Sequence, residues 1–117
     1  MIIERIDANN RLSSAVLFRD LVFLSGQVPN TLEGDFALQT KEVLQKIDVL
    51  LAKSASDRSH ILSAQIWIKN MEKDFNTFNE LWEKWLPKDC APARAAVQAV
   101  MARPQVLVEI MVLAAKR

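Results

Sequence analysis

The sequence predicts an α+β domain, a largely antiparallel six-stranded sheet with two helices segregated on one face. Three observations carry this. Two segments place apolar residues at spacings of three and four, the mark of amphipathic helices. Several short apolar or alternating runs read as strands. The last of these is apolar on both faces, so both sides of the sheet must be covered there. At 117 residues the chain is expected to form one domain, residues 1–117. The element order reads strand, hairpin, helix, strand, helix, hairpin.

Residues 14–18 and 21–25 are apolar runs separated by Arg19-Asp20, the spacing of a tight hairpin. Gly26 and Pro29 end the second strand, and residues 30–34 form a loop. Gly34-Asp35 opens the first helix, in which Phe36, Thr40, Val43, Ile47, Leu50 and Leu51 share a face opposite Lys41, Gln45 and Asp48. A polar break at 54–59 follows. From Ile61 to Lys69, alternation places Leu62, Ala64, Ile66 and Ile68 on an apolar face, with Trp67 on the more polar one. Asp74 is the expected N-cap of the second helix. Phe75, Phe78, Trp82, Trp85 and Leu86 form its stripe, Asn79 faces the same way as Phe75, and Pro87 stops it. Residues 91–100 and 106–114 read as two strands, and Met101 to Gln105 are short enough to join them as a hairpin. In the last strand Val106, Val108, Ile110 and Val112 form one face, while Leu107, Met111 and Leu113 flank Glu109 on the other. Two helices cover one side of such a sheet. The other side needs an apolar partner, and self-association supplies it.

Composition narrows the function classes. The net charge is +1 with acids and bases interspersed, not the basic stripe of a nucleic-acid binder. Cys90 is the single cysteine and His60 the single histidine, so no disulfide and no zinc spacing is expected. The N-terminal residues lack a signal-peptide pattern and no run is long and uncharged enough to span a bilayer, so a cytoplasmic protein is expected.

Arg94 and Glu109 stand out, because each is a lone charge inside an apolar run. Such residues are costly unless paired, hydrated or protonated, and chains keep them for structure or chemistry. The arginine fork suits a bidentate carboxylate, but an ion pair across an interface would also explain it. For Glu109 the structural alternative is a buried salt bridge, with Arg94 as a candidate partner. Asn79 fits a core amide or a cleft residue, and Ser25 a cleft lining or a strand end. Phe75, Phe78, Trp82 and Trp85 are core by spacing, and His60 is a surface imidazole. Cys90 has no identifiable partner for nucleophilic work.

Several segments together resemble the Rid family, also called YjgF or RutC-like proteins. They are Ala15-Val16, Leu24-Ser25-Gly26-Gln27-Val28-Pro29, Phe75-Asn76-Thr77-Phe78-Asn79, Ala91-Pro92-Ala93-Arg94 and Val108-Glu109-Ile110, in that order. The likeness runs through nearly the whole chain and is strongest to the YoaB-type branch. It implies a chorismate-mutase-like fold and a homotrimer with clefts between subunits. It also implies hydrolytic deamination of reactive enamines or 2-imino acids to 2-oxo acids and ammonia, without metal or organic cofactor. Arg94 would grip the substrate carboxylate, the Ala96 backbone N–H would assist, and Glu109 would position the attacking water. Leu12 stands where active members typically carry a substrate-positioning tyrosine, and Ala96 where a cysteine is usual. The alternative is therefore a trimeric, non-catalytic binding protein for small carboxylates such as 2-oxo acids. A ribonuclease, an activity attributed to some members, is the weakest of the three.

Overall fold

The computed structural model describes residues 2–117. The strands are β1 (Ile3–Ile6), β2 (Ala15–Phe18), β3 (Leu21–Leu24), β4 (Ile61–Ile68), β5 (Ala93–Gln98) and β6 (Val108–Ala115). The helices are α1 (Phe36–Lys53) and α2 (Met71–Trp85), and a 3-10 turn, Arg58–His60, leads into β4. The strands form one sheet in the order β1-β2-β3-β6-β4-β5. Every pairing is antiparallel except β4 with β5. Both helices lie on one face, and the two layers make a slab of 45 × 37 × 20 Å. The expected α+β class, strand number and helix number all stand.

The expected hairpin of the last two strands does not form. β5 leaves α2 and pairs in parallel with β4, Ala64 opposite Arg94 and Ile68 opposite Gln98. β6 instead lies between β3 and β4. The reason is the helix between β4 and β5. A strand, a crossover helix and a second strand return in parallel, whereas a hairpin needs no helix at all. The segment read as a turn carries the chain across the end of β4, where the Lys69 amide donates to the Leu107 carbonyl at 3.0 Å. A strand apolar on both faces is then used where both its edges are also paired.

Helix starts follow their caps. The Asp35 carboxylate accepts from the Leu38 amide at 2.9 Å, as its position before the apolar stripe predicts. In α2 the cap is Asn70, not Asp74: the Asn70 Oδ1 accepts from the Lys73 amide at 3.1 Å. Asparagine caps as well as aspartate, and Met71 extends the apolar stripe by one turn, so the helix begins earlier. Asp74 falls inside the first turn and is buried.

Leu62 is also displaced from its expected face. A β-bulge between Ile61 and Ser63 makes Ile61 oppose Ala114 and Ser63 oppose Leu113. The extra residue turns Leu62 outward and puts Ile61 into the core. That core is Ala15, Leu17, Val22 and Leu24 from the first hairpin, Ile66 and Ile68 from β4, and Val108, Ile110, Val112 and Ala114 from β6. Val43, Ile47 and Leu51 of α1 and Phe78 and Trp82 of α2 close it. The opposite face carries Phe23, Trp67, Val97, Met111 and Leu113, each half-buried or exposed, with no layer over it.

The helix layer is held by Asp48. Its carboxylate accepts two bonds of 2.7 Å from the Arg58 guanidinium and one of 3.1 Å from the Trp85 indole. Arg58 also donates to the Trp85 carbonyl at 2.9 Å and stacks over its ring. Asp48→Ala removes the bidentate pair and leaves the indole N–H unsatisfied. We expect a loss of about 2 kcal/mol, discounted for partial exposure, read as a lower urea midpoint. Lys53→Ala, which breaks the exposed Lys53–Asp7 pair, should cost less than about 0.5 kcal/mol.

Candidate functional site

Arg94 sits on β5, the outer edge of the sheet, with its side chain on the helix face. Its guanidinium donates to Asn79 Oδ1 on α2 at 2.7 Å. It lies 5.8 Å from the ring centroids of both Phe75 and Phe78. Arginine has five N–H donors, and among the described residues Asn79 is the only hydrogen-bond partner, so most of the fork stays available. Asn79 is thus half-buried and bonded to Arg94 rather than enclosed in the core. Phe75 and Phe78, core residues by sequence pattern, also flank the guanidinium. The i, i+4 spacing of Phe75 and Asn79 was the signal that both would face Arg94.

The edge position supplies a second set of donors. The Ala99 amide donates to the Ile68 carbonyl at 3.1 Å. Alternate backbone groups of a strand face opposite edges, so Val97 and Ala95 also turn toward β4. Arg94, Ala96 and Gln98 therefore turn their N–H and C=O groups to the open edge. The Ala96 N–H lies two residues beyond Arg94 on the same open edge.

Glu109 lies on the other face of the sheet. It is opposite Trp67 on β4 and half-buried. Its carboxylate packs against Gly26 so closely that a Cβ on Gly26 would fall within it. A side chain on Gly26 would have to displace the Glu109 carboxylate from this place; the Gly26 φ is not positive. Gln27, next in the chain, is bonded to Ile110 through both backbone groups, which fixes that approach. Among the described residues no group donates to Glu109 or forms an ion pair with it. Burial pushes its carboxyl pKa above the ordinary glutamate range.

Ser25 adjoins Gly26 and so lies near Glu109, and Leu12 precedes Ser13 in the loop before β2. The Ser25 hydroxyl donates to the Ser13 carbonyl at 2.6 Å, tying the loop before β2 to the strand end beside Gly26. Leu12 is 51% exposed and its amide is held by Asn9 Oδ1, so it presents an apolar side chain to the outside. His60 is engaged locally, with Nδ1 2.7 Å from Asp57 Oδ1. The Ser59 and His60 bonds lower the Asp57 pKa to about 2. Cys90 is a half-buried free thiol in the loop before β5. Among the described residues no cluster of three or more His, Cys, Asp or Glu could hold a metal, and no helix is long and apolar enough to cross a membrane.

The six candidate residues thus do not converge within one chain. Asn79, Arg94 and Ala96 lie together at the β5 edge, and Ser25 and Glu109 lie about Gly26 on the other face, with Leu12 in the loop before β2. Arg94 lies opposite Ala64 and so level with Val112, three residues from Glu109 along β6. The offset is about 10 Å along the strands and about 10 Å across them, on opposite faces. The salt bridge between Arg94 and Glu109 considered from sequence does not exist within the chain.

A family model described as Endoribonuclease L-PSP matches residues 2–116. A RutC family protein of Haemophilus influenzae is 44% identical over 115 residues, 97% of this chain and 98% of that one. RutC family protein YoaB of Escherichia coli is 38% identical over 115 residues, covering 98% and 99%. A crystal structure from Neisseria meningitidis, described as a member of the YjgF protein family, superposes with a TM-score of 0.94 at 42% identity, covering 100% and 97%. By full-length match of sequence and fold, this chain belongs to the Endoribonuclease L-PSP family, the YjgF/RutC or Rid proteins.

Proposed function

We propose that the protein is a cytoplasmic, cofactor-independent deaminase that hydrolyses 2-imino acids and their enamines to 2-oxo acids and ammonia. The observation that supports it best is the carboxylate receptor at the edge of β5. There Arg94, its guanidinium held by Asn79, and the outward N–H of Ala96 lie two residues apart on one strand edge. Arg94 would pair bidentately with the substrate carboxylate and aim the imine carbon outward. Glu109 would accept a hydrogen bond from a water. The water oxygen bonds to the imine carbon while its proton passes, through the carboxylate, to the substrate nitrogen. The resulting carbinolamine loses ammonia and leaves the carbonyl.

One chain cannot present both groups of residues to one ligand. A closed ring can, since a head-to-tail contact sets the Arg94 half of one copy against the Glu109 half of the next. We take that ring to be the homotrimer, which also buries the uncovered face around Phe23, Trp67 and Met111. The binding-protein reading draws on Leu12, an exposed apolar group where a positioning hydroxyl is usual. A ribonuclease has less behind it, with net charge +1 and His60 engaged by Asp57.

The deciding experiment supplies imine from an amino acid oxidase and follows ammonia release with and without the protein. Acceleration is expected; 2-oxo acid binding without acceleration would establish the binding protein. Arg94→Ala should weaken carboxylate binding by well over tenfold, from about 2–5 kcal/mol for truncating a charge-assisted contact. Arg94→Lys should rescue only part, and Arg103→Ala in the β5–β6 connection should change nothing.

Mixing tests the split site directly. Arg94→Ala and Glu109→Gln subunits are each expected to be inactive alone. Unfolded together and refolded as random trimers, about one quarter of their clefts should combine both native halves, with activity to match. Mixtures that stay inactive would sink the inter-subunit cleft.

The raised Glu109 pKa predicts the pH profile. The carboxylate must be ionised to orient water, so activity falls as pH drops through its folded pKa. That limb should lie above the usual ~4.3 of a free glutamate. Glu109→Gln should abolish the limb together with the activity.

A further inference from the structure

The chain uses one arrangement twice. Arg58 and Arg94 each lay a guanidinium against aromatic rings of α2 and donate to a side-chain oxygen on a helix. For Arg58 the ring is Trp85, its centroid 5.1 Å from the guanidinium carbon, and the oxygens belong to the Asp48 carboxylate. For Arg94 the rings are Phe75 and Phe78, both at 5.8 Å, and the oxygen is the Asn79 amide Oδ1 at 2.7 Å. The difference lies in the acceptor. Asp48 is an acid and takes Nε–H and Nη2–H together, while the Trp85 carbonyl takes Nη1–H. Arg58 is thereby neutralised and filled. Asn79 is neutral and takes a hydrogen of Nη2 alone. Among the described residues Arg94 forms no ion pair.

A guanidinium has two paired edges that fit a carboxylate, Nε–H with one Nη2 hydrogen and Nη1–H with the other. Whichever Nη2 hydrogen Asn79 takes, one of these edges remains whole. The amide therefore restricts the side chain without consuming the paired donors. It also leaves the positive charge in place, and the Phe75 and Phe78 ring faces favour that cation without offering it a counter-charge. An aspartate at position 79 would reach the same donor with a second acceptor oxygen. It would close an ion pair of the Asp48–Arg58 kind, which an incoming carboxylate would have to displace.

We propose that Asn79 is a positioning residue whose neutrality is its function. It holds Arg94 by one hydrogen bond and keeps the guanidinium uncompensated for the carboxylate of the ligand. Asn79 acts through Arg94 and does not itself touch the ligand. The inference rests on the reading of Arg94 as a carboxylate receptor and adds the charge requirement at the residue beside it.

The test is a calorimetric titration with pyruvate of the native protein, Arg94→Ala, Asn79→Ala and Asn79→Asp, each with its urea midpoint. Asn79→Ala keeps the charge and loses the restraint, so affinity should fall about threefold, from the entropy of fixing one long side chain. Asn79→Asp keeps an acceptor and should unfold at or above the native midpoint. It should nevertheless lose about tenfold or more in affinity, because the internal ion pair competes with the ligand. A residue that serves only the fold gives the opposite order, with aspartate near native and alanine the weaker binder. The two ways of failing are separable. Pyruvate binding that is equal in native protein and Arg94→Ala, or absent from both, removes the carboxylate receptor and this inference with it. Suppose binding is lost in Arg94→Ala but native-like in Asn79→Ala, or no weaker in Asn79→Asp than in Asn79→Ala. Then the receptor stands and the role of Asn79 is overturned.

Discussion

The insertion of β6 between β3 and β4 is the constraint on which the rest of the structure depends. β6 supplies Val108, Ile110, Val112 and Ala114 to the helix-covered core, and Glu109, Met111 and Leu113 to the other side. With both its edges paired, β5 is pushed out to the rim beyond β4. Three consequences follow. Arg94 gains an open strand edge, Glu109 gains a desolvated place on the uncovered face, and the two charges are kept apart. Two opposite charges that met inside one core would neutralise each other and leave little for a ligand. Among the described residues, separation leaves Glu109 without a donor and Arg94 with most of its donors free.

Neighbours prepare each charge differently. Arg94 is steadied by one amide and two aromatic rings, which orient it while leaving donors free. Among the described residues Glu109 has no donor, only proximity to Gly26 and the strand backbone. The first arrangement suits recognition of a fixed anion, since a guanidinium loses less entropy per bond when it is already held. The second suits a group that must exchange a proton, because burial without compensation brings its pKa nearer to neutrality. Elsewhere charge serves the fold: Asp48 meets Arg58 and the Trp85 indole, and Glu42 accepts from the Asn30 and Thr31 amides to tie the loop after β3 to α1.

The departures from sequence expectation share one cause. Local pattern specifies what an element buries, but not which neighbour it is buried against. The residue run 106–114 was legible as two-faced, and its partners were not. A short polar connector looked like a hairpin turn, because nothing in residues 101–105 reveals that α2 has already committed β5 to a parallel return. Alternation alone assigned Leu62 inward, since a one-residue bulge leaves no mark in composition. The α2 cap slipped from Asp74 to Asn70 because both residue types cap equally well and an extra turn buries Met71.

What the sequence by itself determined is the class of the fold, its helices and strands, the uncovered apolar face, and the identity of the unusual charges. Those follow from periodicity and from the energetic cost of lone charges in apolar runs, which are local properties. The resemblance carried by the Ser-Gly-Gln-Val-Pro, Pro-Ala-Arg and Val-Glu-Ile segments placed the family, and full-length matches bear it out. Only the tertiary structure decided that Arg94 and Glu109 lie apart on opposite faces of the sheet, and that Phe75 and Phe78 frame a guanidinium. These are facts about which strand lies beside which and which face it turns. They depend on contacts between residues far apart in the chain, where no local pattern reaches.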